Sequence, residues 1–457
     1  MASTIKNDKR ITNAWCMYDW ANSVFPLTIT SALFPIYWNA QTKNGVDVLG
    51  MHLTDSILFA YCLSFAFVVI ALINPLLSGI ADSAGNKKSF MKAFVYIGVA
   101  SCFAMYFFDS QHVYIGIITF ILGTIGYAGS IVFYNAYLPE IATEDRYDQL
   151  SAKGFSMGYI GGVLLLIINL VMVLKPSLIF NTQPYIDGLM AADPSLASAD
   201  AMTLANKHFA GNASRIAFVA VGVWWLGFSL IPFYYLPKNS AAGNKISFSK
   251  GYHELIKVYH AVKASPLIKK YLSAFFFYSM GVQTVMYVAA SFADKELHMP
   301  SDKLIITILL IQLIAIAGAY LFSKVSKMIG NLKALLLLTL IWIVICIAAY
   351  FVYSINAFYV IAAVVGSVMG GIQSLSRSTF AKMIPSNSAD NASYFSFYEF
   401  SEKVAVAIGT FSFGFIEHMM RNMNGEISMR YSVLSLVVFF VIGSILLYKI
   451  RNEKIED

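Results

Sequence analysis

Charge is scarce in this chain. Asp, Glu, Lys and Arg make up 12% of its 457 residues, where a soluble domain carries roughly 25%. A soluble globular protein is therefore excluded. Cysteine is scarce too. Cys16, Cys62, Cys102 and Cys346 lie in or beside apolar runs, and their spacing makes neither a metal pattern nor a disulfide framework. None of the seven histidines lies in the middle of an apolar run. No phosphate-cradling glycine loop, HExxH, CxxC or Gly-x-Ser-x-Gly occurs, so neither a cofactor nor enzymatic chemistry is expected, and ATP is not expected to be used directly by this chain. No cleavable signal is read at the start: the first apolar run is too long, and no small-residue cleavage site or soluble domain follows it. The net charge of +7 does not mark a nucleic-acid binder. The lysines fall in short loops between apolar runs, where they set membrane topology.

What is abundant is apolar sequence. Hydrophobic residues reach 58% and the mean hydropathy is +0.66. Twelve apolar runs are read, near 15–38, 56–80, 90–108, 112–137, 155–174, 215–236, 270–292, 304–323, 333–353, 357–376, 395–416 and 431–449. Each is long enough for a tilted helix to cross a bilayer. With the N-terminus in the cytoplasm and strict alternation, cytoplasmic segments hold 24 of the 32 Lys and Arg residues and the opposite side holds 8. That bias predicts both termini inside. Residues 175–214 read as an external excursion containing the triplet Asn212-Ala-Ser214. Residues 238–269 read as a cytoplasmic linker. Within it Tyr252, Leu255, Ile256, Tyr259 and Val262 recur at helical spacing beside Lys257 and Lys263, which predicts a basic amphipathic helix on the inner membrane surface.

The runs repeat. Gly85-Asn86-Lys87-Lys88 returns as Gly330-Asn331-Leu332-Lys333, Pro139 as Pro385 and Gly126 as Gly371, each at an offset of about 245 residues. The expected domains are residues 1–237 and 270–457, two six-helix bundles in parallel orientation.

Polar residues inside the runs carry the functional reading. Trp15 to Trp38 is long enough to span, yet it holds Tyr18, Asp19, Asn22 and Ser23. A carboxylate in a span costs at least ~2.5–3.5 kcal/mol and is expected to face protein or water. Asp19 and Asn22 share a helix face, and Pro26 and Pro35 can kink the helix. The stretch suits a pathway or gate; a cap or packing role for Asp19 is the plainer alternative. After the second run, Gly79, Asp82, Gly85, Lys87 and Lys88 have the spacing of a gate. Gly79 admits a close helix, Gly85 a tight turn, and Asp82 can face the N-terminus of a neighbouring helix. Lys87 and Lys88 can meet phosphate headgroups or acidic loop residues. In the second half Lys327 stands where Asp82 stands, so the second gate is degenerate or uses another pairing.

Asn135 needs a buried partner. Glu140, Glu144, Asp145 and Asp148 form an acidic stretch that can latch onto lysines of the other half. Gly154, Gly158, Gly161 and Gly162 share a helix face for close packing, a surface on which the halves can rock. Arg377 can bind a substrate carboxylate, pair with Glu399, or snorkel at the end of its span. Glu399 and Lys403 are spaced for a local ion pair, and Glu399 and Asp19 are the in-span proton carriers to consider. Gln283 and Gln312 are isolated polar residues, either solute contacts or helix–helix glue. Gln373 and Tyr398 complete the path set.

Four blocks carry a family resemblance: Tyr18-Asp19-Trp20-Ala21-Asn22-Ser23 with Phe34-Pro35-Ile36-Tyr37-Trp38; YNAYLPE at 134–140 with GFSMGYIGG at 154–162; GGIQSLSRSTFAKMIP at 370–385; and FSFYEFSEK at 395–403. Together they resemble the UMF1 family, the Atg22-like branch of the major facilitator superfamily. Ser83 departs from the superfamily loop motif, where an Arg is often found. The resemblance implies an all-α polytopic membrane protein with the major facilitator fold: twelve transmembrane helices in two six-helix bundles around a central cavity. It also implies secondary active transport of a small polar solute such as an amino acid or short peptide, with protons as a possible partner, by a monomer in a bacterial inner membrane. A receptor or assembly factor that keeps the fold without transporting is the alternative.

Overall fold

In the computed structural model, residues 6–43, 45–48, 50–237, 248–385, 388–424 and 428–453 are described. The first apolar run is one path in three pieces: α1 (Lys9–Asn22), a π-helical stretch (Phe25–Ala32) and α2 (Leu33–Gln41). Pro26 at the start of the π stretch cannot donate to the preceding turn, and the ladder widens instead of breaking. A small antiparallel hairpin follows, β1 (Val46–Val48) and β2 (Met51–Leu53), with Asp47 opposite His52. The next helices are α3 (Asp55–Ala84), α4 (Lys87–Ala104), α5 (Val113–Asn135), the short α6 (Leu138–Ile141), α7 (Tyr147–Leu174), the short α8 (Gln183–Ala192) and α9 (Ser198–Tyr235). The linker holds α10 (Phe248–Ala264). Then come α11 (Pro266–Leu297), α12 (Ser301–Ile329), α13 (Asn331–Tyr350), α14 (Ile355–Met383), α15 (Asn391–Asn424) and α16 (Ser428–Ile450).

Among the described residues, ten helices are long and apolar enough to cross a membrane. The other two expected runs fall on the broken α1–α2 path and on α15, which carries Glu399, Glu402 and Lys403 in one stretch. Both are places where polar side chains interrupt apolar sequence. The large side chains of the lipid-facing surface, such as Leu72, Phe107, Val360 and Phe411, are exposed, as bilayer contact requires.

The helices pack in two sets. α1, α3, α4, α5, α7 and α9 pack on one another, and so do α11 to α16. The sets meet where α7 lies on α12 and α14, and where α15 lies on α3 and α5. At the end away from the termini each set is pinned by an arginine. Arg215 of α9 donates to Tyr37 Oη at 2.7 Å and pairs with Asp109 at 3.4 Å, while Tyr37 donates to the Phe108 carbonyl. Arg430 of α16 pairs with Glu296 at 2.9 Å and donates to the carbonyls of Tyr350 and Val352.

Two expectations change here. The excursion at 175–214 is largely helical: it contains α8, and α9 begins at Ser198, so Asn212 lies inside a helix. Apolar content marks only the later part of α9, because its first turns are polar and stand beyond the core. The linker helix is present, but it packs on protein. Gly251 lies against the backbone of Gly79 and Ile80, Val258 is buried, and Tyr259 meets the Phe397 ring at 6.3 Å. Its apolar stripe finds α3 and α15, while Tyr252 and Tyr259 remain exposed.

Candidate functional site

Between the two sets lies a cavity of about 240 Å³. Asp19, Asn22, Ser23, Asn135, Gln283, Gln312, Gln373, Arg377, Tyr398 and Glu399 all line it. Tyr18 does not. It is fully buried behind the wall, tilted against Tyr134 at 4.9 Å, because one turn of α1 aims Asp19 and Tyr18 in different directions.

Asp19 and Arg377 form the cavity floor and join the sets. Arg377 Nη1 and Nη2 lie 3.2 and 3.3 Å from Asp19 Oδ2, and Tyr134 donates to the same oxygen at 2.6 Å. Arg377 also donates to Ser151 Oγ and the Ser151 carbonyl, both at 2.9 Å, and to Asn135 Oδ1 at 3.4 Å. Its guanidinium lies over the rings of Phe155 and Trp15 at 4.2 and 4.7 Å. Planar charge between aromatic faces is favourable. The offered partner Glu399 is not the one found. Glu399 accepts from Asn135 at 3.0 Å and pairs with Lys403 at 3.2 Å. Arg377 meets Asp19 of α1 instead.

Above the floor, Tyr159 donates to Gln373 Oε1 at 2.6 Å. Gln283 donates to Glu402 at 2.8 Å, and Lys403 donates to Glu402 at 2.6 Å. Gln312 lines the wall. Sequence spacing did not single out Ser151, Tyr134, Tyr159 or Glu402 as site residues. Ser151 and Tyr134 are small or aromatic residues in helical stretches, with no local signal of a partner far along the chain.

Below the floor the sets are tied twice. In the first latch, Asp82 accepts from Ser393 N at 2.7 Å, Ser393 Oγ at 2.8 Å and Ala392 N at 3.3 Å. These are the free N–H groups at the start of α15, where a carboxylate is favoured. Gly85 makes the turn after α3 with φ +61°. Lys87 pairs with Glu140 and lies 4.0 Å from Asp82, and Asn391 donates to Glu140 at 3.1 Å. Lys88 donates to the Leu236 carbonyl at 2.7 Å. Lys87 and Lys88 are only 7% and 8% exposed, so headgroup contact does not apply to them. In the second latch, Asp148 accepts from Asn331 at 2.7 Å, Lys382 at 2.8 Å and Ser326 at 3.1 Å.

The glycine face of α7 packs mainly within its own set. Side-chain carbons at Gly158, Gly161 and Gly162 would run into Ser23, Trp20 and Leu27. Those glycines seat α1 against α7 and do not form a sliding surface between the sets. Gly154 alone also faces Arg377. Outside the spans, the carboxylates of Asp390 and Glu254 hold the Lys257 ammonium above its usual range. Among the described residues no three His, Cys, Asp or Glu side chains gather as a metal site.

The comparisons agree with this architecture. The family described as "Vacuole effluxer Atg22 like" matches residues 7–456. An uncharacterized MFS-type transporter, YxiO of Bacillus subtilis, is 29% identical, covering 98% of this chain and 97% of its own. Autophagy-related protein 22-1 of Phaeosphaeria nodorum is 23% identical over 99% of this chain and 92% of its own. Among solved structures, the major facilitator proton:xylose symporter XylE superposes with a TM-score of 0.67 at 13% identity, covering 96% of this chain and 95% of that one. The transporter FucP in its outward conformation gives 0.63 at 15% identity, covering 99% and 100%. The chain belongs to the Atg22-like family and has the fold of major facilitator transporters.

Proposed function

We propose that the chain moves a small polar solute, an amino acid or short peptide, across a bacterial inner membrane by alternating access coupled to protons. It does so as a monomer of twelve spans, with both termini and the two latches in the cytoplasm. The observation that carries this reading is the position of the Asp19–Arg377 pair. It joins the two sets directly beneath a cavity, so whatever weakens it frees one set to move on the other. The latches lie on the same side of the cavity, and the state described is therefore closed at the latch end. The Lys/Arg bias supports placing that end in the cytoplasm. Asp19 and Glu399 are the carboxylates placed to exchange a proton as the bridge opens.

Purified protein in liposomes tests this. With an imposed pH gradient, Asp19→Asn is expected to lower coupled solute uptake at least about tenfold while the variant stays monodisperse. A buried ion pair that loses one partner costs about 3–5 kcal/mol, well above the 1.4 kcal/mol of a tenfold change. Normal gradient-driven uptake by Asp19→Asn sinks the coupling role. Binding without flux in the unaltered protein favours a receptor.

A further inference from the structure

The polar groups of the cavity divide into two kinds. A guanidinium has five N–H donors, and those of Arg377 are all engaged, on Asp19, Asn135 and Ser151. The floor is a closed network with nothing left to offer a solute. The set above it is open. Lys403 donates to Glu402 and Glu399 and has a third N–H to give. The Tyr127 and Tyr287 hydroxyls and the Gln312 side-chain amide line the same volume and hydrogen-bond no described residue.

The charges of the wall do not balance. In their ionised forms Asp19, Glu399 and Glu402 bring three negative charges, and Arg377 and Lys403 bring two positive ones. A surplus charge held away from water is unfavourable until it is countered. The rings of the open set also favour a cation: Lys403 already lies over Phe67 at 5.7 Å, and aromatic faces attract positive charge.

We infer that the open set binds a solute carrying one net positive charge. Its ammonium meets Glu402 in place of Lys403, while Tyr127, Tyr287, Gln283 and Gln312 supply hydrogen bonds. This rests on the transporter reading and narrows its solute to organic cations of amino-acid size. It makes Glu402 and Tyr287 specificity residues and leaves the Asp19–Arg377 floor as the part that joins the sets.

The test uses the full chain, purified, and four probes of known charge at pH 7.4: L-lysine, N-ε-acetyl-L-lysine, L-norleucine and L-glutamate. A ligand that binds only the folded state raises its stability by RT ln(1 + [L]/Kd). Lysine is expected to raise the unfolding temperature, and the other three to bind at least about tenfold more weakly. Glu402→Gln keeps the size and neutralises the surplus, and should abolish the preference for lysine. Equal or better stabilisation by norleucine, acetyl-lysine or glutamate overturns the inference. So does a flat response to all four, or an unchanged preference in Glu402→Gln. Should that variant fail to fold, Tyr287→Phe changes no charge. It should weaken lysine binding roughly three- to tenfold, the loss of one ordinary hydrogen bond, and unchanged binding again overturns the inference. Flux separates the two claims. Lysine that binds but does not cross liposomes leaves the site standing and removes the transport reading. Norleucine that crosses as fast as lysine does the reverse.

Discussion

The two latches occupy matching places in the two halves and are built with opposite polarity. At the repeat offset of about 245 residues, Asp148 corresponds to Ser393, and Asp82 corresponds to Lys327, next to Ser326. In the first latch the carboxylate is on the end of α3 and the hydroxyl is at the start of α15. In the second the carboxylate is at the start of α7 and the hydroxyl is on the end of α12. The repeat preserves the crossing point of the helices and a carboxylate–hydroxyl contact there, without preserving which side brings the charge. The energetic character differs as well. Asp82 is met mostly by backbone N–H groups and a hydroxyl, with its lysine at 4.0 Å. Asp148 has Lys382 in direct contact at 2.8 Å, and both side chains are largely buried.

That difference ranks the ways of breaking the closed state. Lys382→Met should act most strongly, because it strands a buried carboxylate at a cost of about 3–5 kcal/mol. Spin labels at Asp145→Cys and Met328→Cys should then report a dominant long distance. Adding Asp148→Asn to Lys382→Met should restore most of the short one. A short distance in the single variant would mean that the second latch is slack. Asp82→Asn should have a smaller effect, about 1–2 kcal/mol, since the amide still accepts from α15 and loses only the charge that complements the helix end. Labels at Ser89→Cys and Ala389→Cys would read it as a mixture of distances. An effect larger than that of Lys382→Met would reverse the ranking. Lys257→Ala should do least. Its side chain is 65% exposed, and exposed pairs contribute about 0.2–1 kcal/mol. The linker helix is tied to the first latch through Lys257 and Asp390, so the shift it causes should show mainly at the Ser89 and Ala389 labels.

Much of this was legible in the sequence, for reasons that can be traced to single residues. Gly79, Asp82 and Gly85 announce a close helix, a helix-end carboxylate and a tight turn, and each is met locally by geometry of that kind. The acidic stretch ending at Asp148 was expected to find a lysine of the other half, and Lys382 is that lysine. The Asp19–Arg377 pair was not legible. Both residues stood out as costly in a span, but they are 358 residues apart, and helical spacing speaks only of neighbours within a turn or two. Glu399, the nearest carboxylate inside an apolar run, was the natural guess for Arg377, and it belongs to Asn135 and Lys403. The glycines of α7 show the same limit. Their spacing reveals a close-packed face but not which helix fills it, and the occupant is α1 of the same half.

The paired arginine pins at the far end, Arg215 and Arg430, bear on how this protein spends thermal energy. Each fastens the last helix of its half to the first helical path and to a neighbouring loop. A lever passes on force only as far as it refuses to bend. On the alternating-access reading, these two clamps stiffen each half, and the angle between the halves is the coordinate left to move. If the proposed cycle holds, loosening one pin should act like a worn bearing: the latches would still open and close, but each cycle would deliver less of its stroke to the cavity.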